Sequence, residues 1–206
     1  MKRKRFVLMC ICVAILFIIG GVYASRDTRF LNYGKQVDKI SQNKTDEFVA
    51  KVNGVGISKS EFDTYKAGLS NANGTFTDEE IIDKLVQQEV IMQEIHRLGY
   101  TVTDEEVNEF NEKRFALLDG DPTAYQIVKD YVDGLGITME EYKEMSKKVS
   151  EEALLANKYK EDLKKEFDKK SSASTYSAKD SNEKFENYFT DKVKSLKQKA
   201  DIDILK

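Results

Sequence analysis

FVAKVNGVGISKSEF, residues 48–62, decides how the rest of the chain must be arranged. Two short apolar runs flank Asn53-Gly54, the strongest short-range signal for a two-residue hairpin turn. A strand pair this small buries too little to stand alone in water, so another part of the chain must extend or cover it. Ser58 followed by Glu61 is a capping box, and it fixes where the second strand hands over to a helix.

Only one other stretch alternates with the period of a strand. Ala200-Asp201-Ile202-Asp203-Ile204-Leu205 reads apolar and polar in turn. Residues 202–205 are therefore expected to complete a small antiparallel sheet with residues 49–57, so that the two ends of one domain meet.

Between those ends, repeated caps mark helices. Thr77/Glu80, Thr103/Glu106 and Thr138/Glu141 repeat the Ser58/Glu61 pattern, each ahead of an apolar-periodic run. The helix over 78–98 carries Ile81, Ile82, Leu85, Val86, Val90, Ile91, Ile95 and Leu98, a stripe too broad for a surface helix, and is expected at the centre. Gly99 ends it in the left-handed region. A helix over 104–118 is broken by Asp119-Gly120-Asp121-Pro122, which lacks the spaced oxygen ligands and distant Glu of a calcium loop and reads as a turn. Pro122 suits the first turn of the next helix, 123–135. There Tyr125, Val128, Val132 and Leu135 form the expected core stripe, leaving Ile127 and Tyr131 for exposure.

The longest helix, 139–169, repeats apolar residues at spacings of three or four and would reach about 45 Å. It is either an arm packed on one partner helix or a lever standing in solvent. Residues 171–178 are small and polar and read as a linker. A last helix over 182–199 presents Phe185, Tyr188, Phe189, Val193 and Leu196 on one side.

The N-terminus stands apart. Four basic residues at 2–5 precede residues 6–24, an uncharged run of 19. As a helix it would be about 28 Å long, close to the roughly 30 Å hydrocarbon thickness of a bilayer. It reads as an uncleaved transmembrane anchor. The alternative is a signal peptide leaving at Val22-Tyr23-Ala24, and in both cases the basic tail at 1–5 stays cytoplasmic while the bulk of the chain is extracytoplasmic. Cys10 and Cys12, the only cysteines, lie in the middle of the run, so neither is placed for lipidation and the exported part holds no disulfide. Residues 25–47 are polar apart from Phe30, Tyr33, Val37 and Ile40 at a 3-4-3 spacing that Gly34 weakens. They read as a juxtamembrane stalk that the spacing allows to be partly helical, and the stripe also admits pairing with a second copy of the chain.

Composition excludes several function classes. Of 33 basic side chains four lie in the leading tail, so 29 face 36 acidic ones and the remainder carries a net charge of about −7. Nucleic acid would want the opposite balance. His96 is the only histidine, and without a second histidine or an exported cysteine it builds neither a zinc site nor a Cys-His pair. The Asp and Glu clusters at 78–80, 104–106 and 140–141 are explained by helix N-termini, where negative charge is stabilised. Gly54, Gly56, Gly134 and Gly136 lack the Lys and Ser/Thr of a phosphate loop. The expectation is therefore no catalytic residues, no metal and no cofactor.

The order of elements resembles the N-terminal chaperone domain of the SurA and PrsA family of extracytoplasmic foldases. The residues that carry the likeness are Val49-Ala50-Lys51-Val52-Asn53-Gly54 with Ile57-Ser58-Lys59-Ser60-Glu61-Phe62, Leu85-Val86-Gln87-Gln88-Glu89-Val90 leading into residues 98–107, and the Ala-Asp-Ile-Asp-Ile ending. The resemblance covers about residues 48–206. It implies a mainly α fold, a helical chaperone domain with long arms and a small antiparallel sheet, joined here to one N-terminal transmembrane helix. Relatives commonly carry a parvulin-type prolyl isomerase domain between the long helix and the last one, and this chain offers only the short linker there. The resemblance implies an ATP-independent holdase or foldase for unfolded or exported polypeptides. A dedicated adaptor for one envelope or membrane partner is the alternative, and isomerase activity would rest on family membership alone. Phe115, Ile127, Tyr131, Met139, Tyr142 and Met145 are the expected client contacts, because aromatic and Met side chains offer large adaptable area without demanding one partner geometry.

Overall fold

The structure, a computed structural model, describes residues 28–72, 74–171 and 178–205. The basic tail, the expected anchor at 6–24 and nearly all of the linker lie outside the described residues. Among the described residues no helix is long and apolar enough to cross a membrane.

Strand β1 (Phe48–Val52) pairs antiparallel with β2 (Val55–Ser58) across a turn whose two central residues, Asn53 and Gly54, both have positive φ (50° and 79°). That is the geometry the right-handed twist of two strands prefers, and Asn-Gly reaches it with little strain. Strand β3 (Ile202–Ile204) takes the other edge of β1, with Val52 opposite Ile202 and Ala50 opposite Ile204. The expected closure of the sheet by the last residues holds, in the order β2-β1-β3.

Asn53 binds the two ends of the domain together. Its backbone N–H donates to the Asp201 carbonyl at 2.7 Å, while its side-chain oxygen accepts from the Asp201 N–H at 2.8 Å. The amide nitrogen donates to Gln93 at 2.7 Å, and Gln93 in turn donates to the Val52 carbonyl at 2.9 Å. With β1 in the middle, Ala50 and Val52 are wholly buried.

Helices α2 (Lys59–Asn71) and α3 (Asp78–Arg97) cover the sheet, burying Phe62, Tyr65, Ile81, Leu85, Val86 and Val90 against it. The expected capping boxes close at Ser58/Glu61, Thr77/Glu80 and Thr103/Glu106, and Thr138 exchanges bonds with Glu141 in the same way. Each satisfies two donors that a helix start would leave open. Gly99, at φ 78°, ends α3 with the paired bonds of a Schellman motif, from its own N–H to His96 and from the Tyr100 N–H to Ile95.

Three helices then leave the sheet: α4 (Asp104–Asp119), α5 (Pro122–Leu135) and α6 (Met139–Ser171). The later turns of α6 do not stand in solvent. Leu155, Tyr159 and Leu163 pack with Met92 and Ile95 of α3 and with Phe185 of α7 (Ala178–Lys199). The long helix is thus the packed arm of the two arrangements its sequence allowed.

The stretch expected to be a stalk is helical, α1 (Arg29–Gln42), and it packs against α5 and α2. Its Phe30, Tyr33 and Val37 are buried. This corrects the reading of α5. Val128, Val132 and Leu135 face the core as expected, but Ile127 and Tyr131, expected to be exposed, are 7% and 1% exposed, while Tyr125, expected in the core, is 37% exposed. The cause is that α5 lies between α1 and the pair α4 and α6, so it buries two faces where a single-stripe reading assumes one.

Removing residues 201–206 should strip β1 of its second partner and leave Val52 and the Asn53 side chain without their cover. The expected loss is about 3 kcal/mol, or roughly 10 °C in melting temperature. Unchanged thermal unfolding of the truncated chain would contradict the closure.

Candidate functional site

Five of the six expected client contacts come together. Phe115 from α4, Ile127 and Tyr131 from α5, and Met139 and Tyr142 from α6 share one apolar cluster. Met145 stays apart and is 39% exposed. Within the cluster Tyr142 meets both Phe115 and Tyr131 edge-on, with ring centroids 6.0 Å apart in each case. Such pairs hold aromatic side chains in fixed mutual orientation, which gives the cluster a defined shape.

These residues form no open groove between α4, α5 and α6, because α1 covers them. Tyr33 of α1 stacks on Tyr131 with centroids 5.1 Å apart, and Phe30 and Val37 extend the contact on either side. In this conformation Phe115, Ile127, Tyr131 and Tyr142 are buried beneath α1 and α2 and are not an open surface. The side chains of α1 that complete the site were missed because residues 25–47 read as a stalk. Their signal was present in the 3-4-3 spacing of Phe30, Tyr33, Val37 and Ile40.

Two glycines make the fit of α1 possible at close range. A Cβ on Gly34 would lie 2.2 Å from the Tyr131 carbonyl oxygen and 2.8 Å from the Cα of Gly134. A Cβ on Gly134 would lie 2.2 Å from the Leu31 carbonyl oxygen. The helices therefore touch backbone to backbone, which only residues without a side chain permit. The glycine that weakens α1 as an isolated helix is the residue through which it docks.

A buried polar cluster sets α4 against α6. The Ser146 and Ser150 hydroxyls donate to the Asn111 side-chain oxygen at 3.1 and 2.9 Å, the Asn111 amide donates to the Lys143 carbonyl at 2.9 Å, and Arg114 donates to Ser150 at 3.0 Å. Asn111, Ser146 and Ser150 are all buried, so a slip of one helix along the other would strand polar groups away from water. At the edge of the apolar cluster the Lys143 ammonium sits 5.3 Å from the centre of the Phe115 ring.

Where α6 meets α3, Glu152 and Glu89 lie close enough to act on each other, and Glu61 of α2 feels Glu89 as well. Burial pushes Glu61 up to about 7, against the Ser58 hydrogen bonds that favour its charged form. Burial likewise raises Glu152 to about 7, with Lys148 opposing and Glu151 and Glu89 adding to the shift. One oxygen of Glu152 is buried without a hydrogen-bond partner. Among the described residues no group of three His, Cys, Asp or Glu side chains is placed to hold a metal. His96 lies exposed at the end of α3.

A carboxyl whose pKa is higher folded than unfolded binds its proton more tightly in the fold. The stability contributed by Glu152 is therefore present at acidic pH and is lost as pH rises from 4.5 through about 7. The wild-type melting temperature should fall between pH 5 and pH 8. Glu152→Gln, which keeps the shape and cannot ionise, should fall less. Equal drops in the two proteins, measured by thermal unfolding at both pH values, would show that Glu152 does not titrate in this range.

Searches among curated proteins and among solved structures return no match. The family described as the SurA-like N-terminal domain matches residues 2–129, a span that takes in α1, the hairpin, α2, α3, α4 and the first half of α5. That is more than half of the sequence, and it includes the Asn53-Gly54 hairpin and the capped helices on which the sheet depends. The chain belongs to the SurA-like N-terminal domain family.

Proposed function

We propose that the protein is a membrane-tethered, ATP-independent chaperone on the outer side of the cytoplasmic membrane, holding unfolded or exported polypeptides through the groove between α4, α5 and α6 that α1 covers. Membership of the family carries a chaperone-type function in general. The observation that most supports the finer reading is the cluster itself: aromatic and Met side chains from three helices gathered around a seated amphipathic helix, α1. A site that already accommodates a chain segment by shape and apolar area needs no nucleotide or metal to do so for another. The tether is proposed from residues 6–24, whose length and lack of charge suit a bilayer.

No isomerase chemistry is part of this reading. Between α6 and α7 the sequence has only residues 172–177, far short of the roughly 50 residues of even a small domain. The backbone-to-backbone fit of α1 favours a second reading, an adaptor shaped for one partner, because so close a contact rewards one geometry over others.

The test is aggregation of a chemically denatured reporter in the presence of the full-length protein without ATP. The chaperone reading predicts suppression at near-stoichiometric ratios and several unrelated exported proteins recovered by crosslinking in cells. A single crosslinked partner with no suppression would favour the adaptor. Accelerated cis–trans conversion in a protease-coupled proline-peptide assay would overturn the exclusion of isomerase chemistry.

A further inference from the structure

We propose that α1 is an exchangeable resident of the groove, and that the groove takes amphipathic helices with the spacing of Phe30, Tyr33, Gly34 and Val37. The partner so defined is a helix with an aromatic residue, a second aromatic three positions on, a small residue directly after it and an aliphatic three positions later. The inference rests on the groove being the client site and specifies what that site accepts.

The seated helix displays the recognition chemistry. Tyr33 fills the place against Tyr131, and the bare Cα of Gly34 lies against the Tyr131 carbonyl and Gly134. Its opposite face, with Lys35, Gln36 and Lys39, is exposed. Aromatic anchors at i and i+3 with an aliphatic at i+7 are how an amphipathic helix is read by an apolar groove, and the small residue lets the backbones close.

The attachment of α1 lets it leave without breaking the sheet. The Glu47 carbonyl accepts from the Lys59 N–H at 2.9 Å, which fixes the chain just before β1. Residues 43–46 between that point and α1 are exposed and belong to no helix or strand. The side-chain hydrogen bonds of Asn32, Ser41 and Gln42 stay within α1 and its cap, so they travel with it. What α1 covers, including Ile127 and Tyr131, is otherwise an apolar trench that would promote aggregation if left open. A tethered resident keeps the trench covered and still yields to a competitor, because it lowers apparent affinity only by the fraction of time it is seated.

The two glycines separate this idea from a purely structural role. They make equivalent contacts, each with a Cβ position 2.2 Å from a backbone oxygen of the other helix, but Gly34 belongs to the resident and Gly134 to the groove. The probe is a fluorescein-labelled peptide of residues 28–43, titrated by anisotropy into full-length wild type, Gly34→Val and Gly134→Val, with thermal unfolding as the folding control. Gly34→Val should bind the peptide at least about tenfold more tightly than wild type, since it unseats the resident and leaves the groove intact. Gly134→Val should bind no more tightly than wild type. Tyr33→Ala, which removes the stack with no clash, should also tighten binding and serves if Gly34→Val does not fold. Equal peptide binding by all the folded variants would overturn the proposal. Reporter aggregation measured in parallel keeps the two readings apart: suppression without peptide exchange refutes the resident and leaves the chaperone standing, whereas exchange without suppression supports the resident and refutes the chaperone.

Discussion

The pairing of β1 with β3 is the constraint on which the rest depends. β1 is a five-residue strand whose Ala50 and Val52 are fully buried, and it keeps them so only while both of its edges are occupied and α3 lies across it. One edge is supplied locally by β2, four residues of strand reached through a tight turn. The other comes from 148 residues away, and the Asn53 side chain is where that distant end is received. Because loop-closure entropy grows only slowly with length, holding the ends together across such a distance costs little more than across a much shorter loop. Whatever lies between is free to be an elaboration carried by the closed sheet.

The elaboration here is the set of arms, with α6 as their common element. At 33 residues it is about 50 Å long, and successive portions do different work. Tyr142 near its start lines the groove, Ser146 and Ser150 set the register of α4, Lys148 and Glu152 face the buried carboxylates, and Tyr159 to Phe167 join α7. The helix therefore runs without a break from the apolar cluster under α1 to α3 and α7. Midway along it lies the region where burial raises the carboxyls of Glu61 and Glu152.

Much of this was legible in the sequence because it rests on local chemistry. Asn53-Gly54, the Ser/Thr-x-x-Glu boxes and the period of residues 200–205 each state a backbone geometry that tertiary packing did not override. What was not legible depends on neighbours. Ile127 and Tyr131 fall off the expected stripe of α5 because α1 buries a second face, which no periodicity within α5 can announce. Gly34 reads as a helix weakness until Gly134 is placed opposite it. Glu61 reads as a cap, which it is, but its burial comes from packing and not from position in the sequence. Of the six expected client contacts, residue type picked out five that share one cluster, but not that α1 buries them, because residues beside an expected anchor read as a spacer.

Hydrogen exchange of the full-length chain, followed by mass spectrometry with and without an excess of a denatured client, tests most directly whether a stable closed sheet carries a groove with an exchangeable occupant. Amides of β1, β2, β3 and α3 should exchange only through global unfolding and be unaffected by the client. Amides of α1 should exchange faster than these on their own and faster still when the client is present, as the groove changes hands. Protection of α1 equal to that of the sheet, and unmoved by client, would contradict it.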